Sequence, residues 1–300
     1  MRVLLAVPSS PARLHNLVPL AWALRTAGHD VKIAGRSSFV DEVLRTGCVA
    51  VDLEDGDAAG LAESAALVEF AELWRPEVVV SDARAQAGTL AARAVDAVAV
   101  RLLGALDEPD AGAADTTFDT VPPSLRDTGT GARAVRHVPY FGPVVVPNWL
   151  RRRTRRSRVL LSIADATLFE PVFAAVAGLD VEFVCATDPD RVPAGIAVPA
   201  GVRFVDSAPP AALLPTCAAV VHDGDAALAL AAAAHGLPQL SLTGSALAAR
   251  IAAAGAGHVG SAERIPELTA DDALRGAAHA LRDEIAALPA PRAMAAELTR

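Results

Sequence analysis

Two series of short apolar runs, each run followed by a stretch of helical spacing, lie end to end in this chain and leave few folds open. Residues 3–7 (Val3-Leu4-Leu5-Ala6-Val7) are apolar and stop at Pro8-Ser9-Ser10, a turn-forming segment. Residues 14–27 place Leu17, Leu20, Ala21 and Leu24 near helical spacing, and Gly28 stands where a helix end favours glycine. The same rhythm predicts strands at 31–34, 49–51, 78–80 and 98–102, with helices at 62–73 and 85–95. Alternation of this kind implies a parallel sheet with helices on both faces.

From 104 to 117 the rhythm fails, and Asp, Glu, Ala, Gly and Pro dominate. Pro122-Pro123, Pro139, Pro143 and Pro147 prolong the irregular stretch. Arg151-Arg152-Arg153-Thr154-Arg155-Arg156 follows, the strongest charge run in the chain. It reads as a solvated interdomain linker or as an anion-binding edge. Beyond it the pattern restarts, with strands expected at 159–163, 181–185, 202–205, 218–221 and 239–242. Helices are expected at 171–177, 211–214, 226–234, 246–254 and 271–288. The expectation is an α/β protein of two similar halves facing across a cleft: a shortened first domain at 1–148, a linker at 149–157 and a second domain at 158–300. Ligands of such sheets bind at the carboxyl ends of the strands.

Composition narrows the function classes. Three hundred residues allow two cores of ordinary size, and 52% apolar with 21% charged residues describes a globular chain. A net charge of −8 argues against a nucleic-acid partner, because phosphate binding leans on a basic surface. No apolar run approaches the roughly 20 residues of a membrane span, and the N-terminal run is shorter than a signal peptide requires. Cys48, Cys185 and Cys217 are odd in number and widely spaced, which fits neither a disulfide framework nor a metal site and points to a reducing cytoplasm. The histidines at 29, 137, 235, 258 and 279 show no ligand spacing, so no metal is expected.

The chemistry concentrates where the strand Ala218-Ala219-Val220-Val221 runs into His222-Asp223-Gly224-Asp225 and then an alanine-rich helix. Such a strand–turn–helix aims backbone N–H groups and a helix N-terminus at one point, which suits an anion. Asp223 and Asp225 put carboxylates where that anion would sit. Their simpler role is to stabilise the helix N-terminus, by about 0.3–1 kcal/mol each. Asp82 lies after the strand at 78–80 and reads either as a cap for the helix from Ala85 or as a catalytic carboxylate. His222 reads as a ligand contact or as a satisfied structural residue, and Trp22, Trp74 and Trp149 as packing.

Several stretches carry a resemblance. They are Leu17-Val18-Pro19-Leu20-Ala21-Trp22-Ala23-Leu24-Arg25 with Ala27-Gly28-His29; Pro122-Pro123-Ser124-Leu125; and Val138-Pro139-Tyr140-Phe141-Gly142-Pro143 with Val146-Pro147-Asn148-Trp149-Leu150. In the second half they are Leu213-Leu214-Pro215-Thr216-Cys217-Ala218-Ala219-Val220-Val221-His222, Gly236-Leu237-Pro238-Gln239-Leu240 and Ala254-Gly255-Ala256-Gly257. Together, over nearly the whole chain, these are similar to the two-domain (GT-B) glycosyltransferases that decorate macrolide and aromatic polyketide antibiotics. The resemblance implies two Rossmann-like domains, a polyketide-like ligand and a nucleotide diphosphate sugar as donor.

The resemblance also implies sites at which this chain departs. In the family a histidine a few residues before the Val-Pro-Leu deprotonates the acceptor hydroxyl. Arg13 holds that place here, and arginine does not give up its proton in a protein. His15, two positions on, substitutes only if the turn shifts. The family's His-x-Gly-Gly-x-Gly-Thr donor loop keeps His222 and Gly224, but Asp225, Ala227 and Leu228 replace its other glycines and its threonine. A carboxylate there repels a poorly solvated diphosphate by several kcal/mol at an effective dielectric of about 20. The family's Asp-Gln pair falls on Thr243-Gly244, and its Gly-Thr on Ala164-Asp165. Family members also carry a longer insertion between the segments matching Leu103 and Thr117. One reading is therefore a homologue that has lost nucleotide-sugar transfer and serves as an accessory protein or a repurposed tailoring enzyme, with no cofactor. In the other, the chain still moves a deoxysugar from a nucleotide to a polyketide hydroxyl, with Arg13 or the 151–156 run neutralising the diphosphate. A homo- or hetero-oligomer is compatible with both.

Overall fold

The computed structural model describes residues 1–54, 61–107, 114–126, 131–151, 156–205 and 209–299. Most of the arginine run (152–155) and part of the acidic segment after Leu103 (108–113) lie outside the described residues. The chain forms two α/β units: Met1–Pro143 with Ala287–Arg300, and Val144–Ala286.

In the first unit β1 (Arg2–Ala6), α1 (Pro11–Thr26), β2 (Asp30–Gly35), α2 (Val40–Arg45), β3 (Val49–Asp52), α3 (Leu61–Trp74), β4 (Val78–Asp82), α4 (Ala87–Ala94), β5 (Val98–Leu103), β6 (Thr116–Asp119) and β7 (Arg133–Ala134) follow in order. The strands pair in parallel in the order β3-β2-β1-β4-β5-β6-β7. Alternate residues of β1 face opposite sides. Val3, Leu5 and Val7 join a core with Leu14, Leu17, Leu20 and Leu24 of α1, whereas Leu4 and Ala6 join one with Leu67 of α3 and Ala91 of α4. This is the period-2 logic of a strand buried on both faces.

The second unit contains β8 (Arg158–Ser162), α5 (Phe169–Val176), β9 (Glu182–Cys185), β10 (Val202–Phe204), α6 (Pro210–Leu213), β11 (Ala219–His222), α7 (Ala226–Ala234), β12 (Gln239–Ser241), α8 (Ala246–Ala253), β13 (Gly257–Val259), α9 (Glu267–Ala270) and α10 (Asp272–Ala287). Its strands are also parallel, in the order β10-β9-β8-β11-β12-β13. In both sheets the order of strand addition reverses once, between β1 and β4 and between β8 and β11. Ligands of doubly wound sheets bind at such switch points, at the carboxyl ends of the strands.

Several features differ from the sequence expectation. Helix α1 starts at Pro11, because a proline at the first helical position loses no hydrogen bond there. The short strands β6, β7 and β13 were not expected; each is two to four residues long and carries little period-2 signal. A last helix, α11 (Pro291–Leu298), follows α10. Its Met294 and Ala295 are buried in the first unit's core with α1, so residues 287–300 join the first unit and not the second, where they were expected. Residues 148–151 pack with the second unit, since the Trp149 ring lies within cation–π range of Arg158 and Arg203. Among the described residues no helix is long and apolar enough to cross a membrane.

Candidate functional site

The second unit's switch point holds the His222–Asp225 turn, and every acidic side chain there is occupied by its own backbone. Asp223 Oδ2 accepts the N–H groups of Ala164 (2.6 Å) and Asp165 (3.3 Å), across from β11 to the loop after β8. Asp225 is the N-cap of α7 and accepts from the amides of Ala227 (2.9 Å) and Leu228 (3.0 Å). Asp165 accepts from the Thr167 amide (2.9 Å) and hydroxyl (2.8 Å), and these bonds hold its carboxyl below the usual range. The resemblance puts phosphates opposite amides in this region. Four of those amides point at carboxylates of the chain itself.

His222 is 1% exposed and fully partnered. Its Nδ1 accepts the Gly224 N–H (3.1 Å), which leaves Nε2 to donate to Gln239 Oε1 (3.2 Å). Gln239 in turn donates through Nε2 to the Ala229 carbonyl (3.1 Å). Burial pushes the imidazole pKa down, so the ring is neutral and acts as a structural spacer. Gly224 has φ +98, and a Cβ there would collide with the hydroxyl of Thr243. That hydroxyl donates to the Asp223 carbonyl (2.7 Å), tying the end of β12 to the turn after β11. Arg191 reaches this corner too, donating to the Ala164 carbonyl (3.1 Å).

The first unit's switch point is filled differently. Arg13 Nη1 donates to Asp82 Oδ1 (2.7 Å) and to Asp107 Oδ1 (2.9 Å), with Arg13 11% and Asp82 2% exposed at the side chain. Asp82 Oδ1 also accepts the Arg84 amide (2.9 Å). Asp82 thus closes a tight turn and does not cap a helix at Ala85; α4 begins at Ala87 with Gln86 as N-cap. Arg126 pairs with Asp119 through Nε (2.7 Å) and Nη2 (3.1 Å), and it donates to the carbonyls of Gly104 (2.8 Å) and Asp107. Asn16 and Thr120 complete the network through the Leu103 carbonyl.

Two residues apart on a helix is about 200° of rotation, so His15 points away from Arg13. It lies edge-on to Tyr140 at 5.1 Å, and Tyr140 packs on Trp22 at 4.9 Å. Desolvation lowers the His15 pKa, with a smaller opposing pull from Glu42. The structure therefore brings Arg13 and Asp82 together and leaves His15 apart. Asp107, Asp119, Arg126 and Gln239 escaped the sequence reading. Asp107, Asp119 and Arg126 are isolated polar residues in segments without a motif, Gln239 lies in the Gly236–Leu240 stretch but without an assigned role, and only the strand order reveals their partners. Among the described residues no group of three or more His, Cys, Asp or Glu could hold a metal ion.

Two doubly wound units, each with its polar cluster at the switch point, define a GT-B class protein. Residues 170–300 match the family model described as Erythromycin biosynthesis protein CIII-like, C-terminal domain, and residues 105–164 match the corresponding N-terminal domain. Erythronolide mycarosyltransferase of Saccharopolyspora erythraea is 31% identical over 81% of each chain. That alignment runs over 341 positions although it takes in 81% of a 300-residue chain, so the relative carries segments without counterpart here. Among solved structures, glycosyltransferase VinC in complex with dTDP superposes with TM-score 0.89 at 29% identity, covering 100% of this chain and 99% of VinC. Spinosyn rhamnosyltransferase SpnG complexed with spinosyn aglycone gives TM-score 0.83 at 26% identity, with 100% of both chains covered. The chain belongs to the Erythromycin biosynthesis protein CIII-like family, the glycosyltransferases of macrolide and polyketide antibiotic tailoring.

Proposed function

We propose that this chain is a family member that no longer transfers sugar from a nucleotide by the family's route, and that it acts on a polyketide-like ligand as an accessory protein or a repurposed tailoring enzyme. One observation carries the reading. The amides of Ala164, Asp165, Ala227 and Leu228 are hydrogen-bonded to Asp223 and Asp225, so a diphosphate has to displace two carboxylates and then sit beside them. Arg13, in the place of the family's base, is committed to Asp82 and Asp107. The names of the relatives support a second reading, in which the chain still transfers a deoxysugar to a polyketide hydroxyl. Erythronolide mycarosyltransferase is named for such a transfer, and VinC was crystallised with dTDP.

Nucleotide binding separates the two. A ligand at about a hundred times its Kd raises stability by about 2.7 kcal/mol, which a melting experiment detects. The first reading expects no rise in Tm and no calorimetric heat with TDP or UDP at sub-millimolar concentration. A saturable rise with either nucleotide would overturn it and establish a working donor site.

A further inference from the structure

Among the described residues, five ionisable side chains meet at the ends of β4, β5 and β6, and their charges do not balance. Arg13 and Arg126 supply two positive charges; Asp82, Asp107 and Asp119 supply three carboxyls. All are largely buried, with side-chain exposures of 11%, 7%, 2%, 4% and 5% in that order. Arg126 is matched to Asp119 by two parallel hydrogen bonds. Arg13 is shared, its one Nη1 lying between the Oδ1 atoms of two carboxyls. With all three aspartates ionised, one uncompensated negative charge would remain in a site nearly closed to water, an arrangement that costs several kcal/mol. Such a group neutralises instead.

The hydrogen bonds say where the proton goes. Asp107 accepts on both oxygens, from Arg13 on Oδ1 and from the Gly104 amide on Oδ2 (3.0 Å). Asp119 accepts on both, from Arg126 and from the Val121 amide (2.8 Å). Asp82 Oδ1 takes Arg13 and the Arg84 amide, and no donor faces its Oδ2 among the described residues. We propose that Asp82 is a neutral carboxylic acid in the folded chain, its proton on Oδ2, at pH values where exposed aspartates are fully ionised. Arg13 then pairs one-to-one with Asp107, Arg126 with Asp119, and the network is neutral.

The groups facing Asp82 are Arg13 from α1, the Arg84 amide from its own turn and Asp107 from the segment after β5, with Arg126 and Asp119 behind it. Burial is the largest influence on the Asp82 carboxyl and raises its pKa, against the Arg84 amide and the Arg13 charge and with the support of Asp107. Burial raises Asp119 too, but there both oxygens accept hydrogen bonds and Arg126 is a full partner, so it is the donor pattern that places the proton on Asp82. Protonation makes Asp82 a hydrogen-bond donor at the switch point and removes it as a general base. It also makes the Arg13 clamp on the Gly104–Asp107 turn sensitive to pH, because loss of the proton restores the unbalanced charge.

The sign follows from linkage. A carboxyl with a raised folded pKa binds its proton more tightly in the folded chain, so its stabilisation is present at low pH and lost as pH rises through the folded value. The test is carbon-13 NMR titration of the aspartate carboxyls in the wild-type chain, with Asp82→Asn to assign the resonance, together with Tm against pH for both. The expected result is an Asp82 carboxyl that titrates above every other aspartate. Asp82→Asn should match the wild type below about pH 3.9, the ordinary aspartate value, and melt increasingly higher than it as pH rises to about 8. An Asp82 signal titrating at or below about 3.9, the ordinary aspartate value, would overturn the proposal. A variant that melts lower than the wild type by the same margin at every pH would overturn it equally. Should Asp82→Asn fail to fold, the wild-type titration decides alone, with the carboxyl assigned by through-bond correlation to its Cβ and Cα.

Discussion

The two units share one strand order and place their polar clusters at the same topological point, yet they fill that point by opposite means. In the first unit, charged side chains pair with one another out of water: Arg13 with Asp82 and Asp107, Arg126 with Asp119. In the second, Asp223, Asp225 and Asp165 bond to backbone amides at the protein surface, and the buried members, His222 and Gln239, are uncharged. A buried pair is costly to break, because its remaining partner is stranded in low dielectric. A solvated cap is cheap to lose, because water replaces the carboxylate. The first unit's switch point is therefore locked by its charges. The second unit's is merely occupied.

The largest expected effect is at Arg13. Arg13→Met keeps most of the aliphatic stem and removes the cation, leaving Asp107 buried without its charge partner. The expected loss is about 3 kcal/mol or more in urea unfolding. A loss below about 1 kcal/mol would place Arg13 with the surface pairs and erase the contrast between the two units.

An intermediate effect is expected at Gln239. Its Oε1 accepts from His222 and its Nε2 donates to Ala229, all inside the second unit. Gln239→Leu fills the same space but strands the imidazole N–H, at an expected cost of about 1–3 kcal/mol. Gln239→Glu sharpens the comparison by introducing a buried charge that His222 can meet only by taking a proton. The introduced carboxylate favours imidazolium and raises the folded pKa against the burial that lowers it in the wild type, so the variant should lose stability as pH rises through the range where His222 deprotonates. A pH-independent loss would mean that the histidine remains neutral throughout.

How much of this was legible before folding differs between the two regions for a physical reason. The second unit's turn is local. Asp223 to Asp225 lie within three residues of the strand end and of the helix that Asp225 caps, so composition and spacing announce a strand–turn–helix with carboxylates in the anion position. Its long-range ties, Asp223 to the amides after β8 and Thr243 to the Asp223 carbonyl, follow once β8 and β12 are known to flank β11. The first unit's network is almost wholly non-local, since Arg13 reaches Asp82 and Asp107 across 69 and 94 residues. No periodicity encodes such partners, and Asp107 lies in a stretch that reads only as an acidic loop. The α/β alternation exposed the architecture for the same reason that it concealed the network: it reports which residues are apolar, not which charges meet. The sequence expectation ended with the helix at 271–288; the C-terminal helix beyond it starts at Pro291, a first-turn position that suits proline, and buries Met294.

The smallest expected effect concerns Asp225, and it tests whether occupancy in the second unit is a matter of charge or of hydrogen bonding. Asp225→Ala removes the cap from the Ala227 and Leu228 amides and should cost about 1 kcal/mol, the usual worth of an N-cap. Asparagine caps about as well as aspartate, so Asp225→Asn should cost only the interaction of the carboxylate with the helix dipole, about 0.3–1 kcal/mol, and that part should fade as salt rises. If the two variants fall equally, with a salt-sensitive loss, the carboxylate charge is the stabilising element. If Asn recovers most of what Ala loses, the geometry of the amides sets the demand, and the negative charge at this turn is free to serve only the exclusion of an anion.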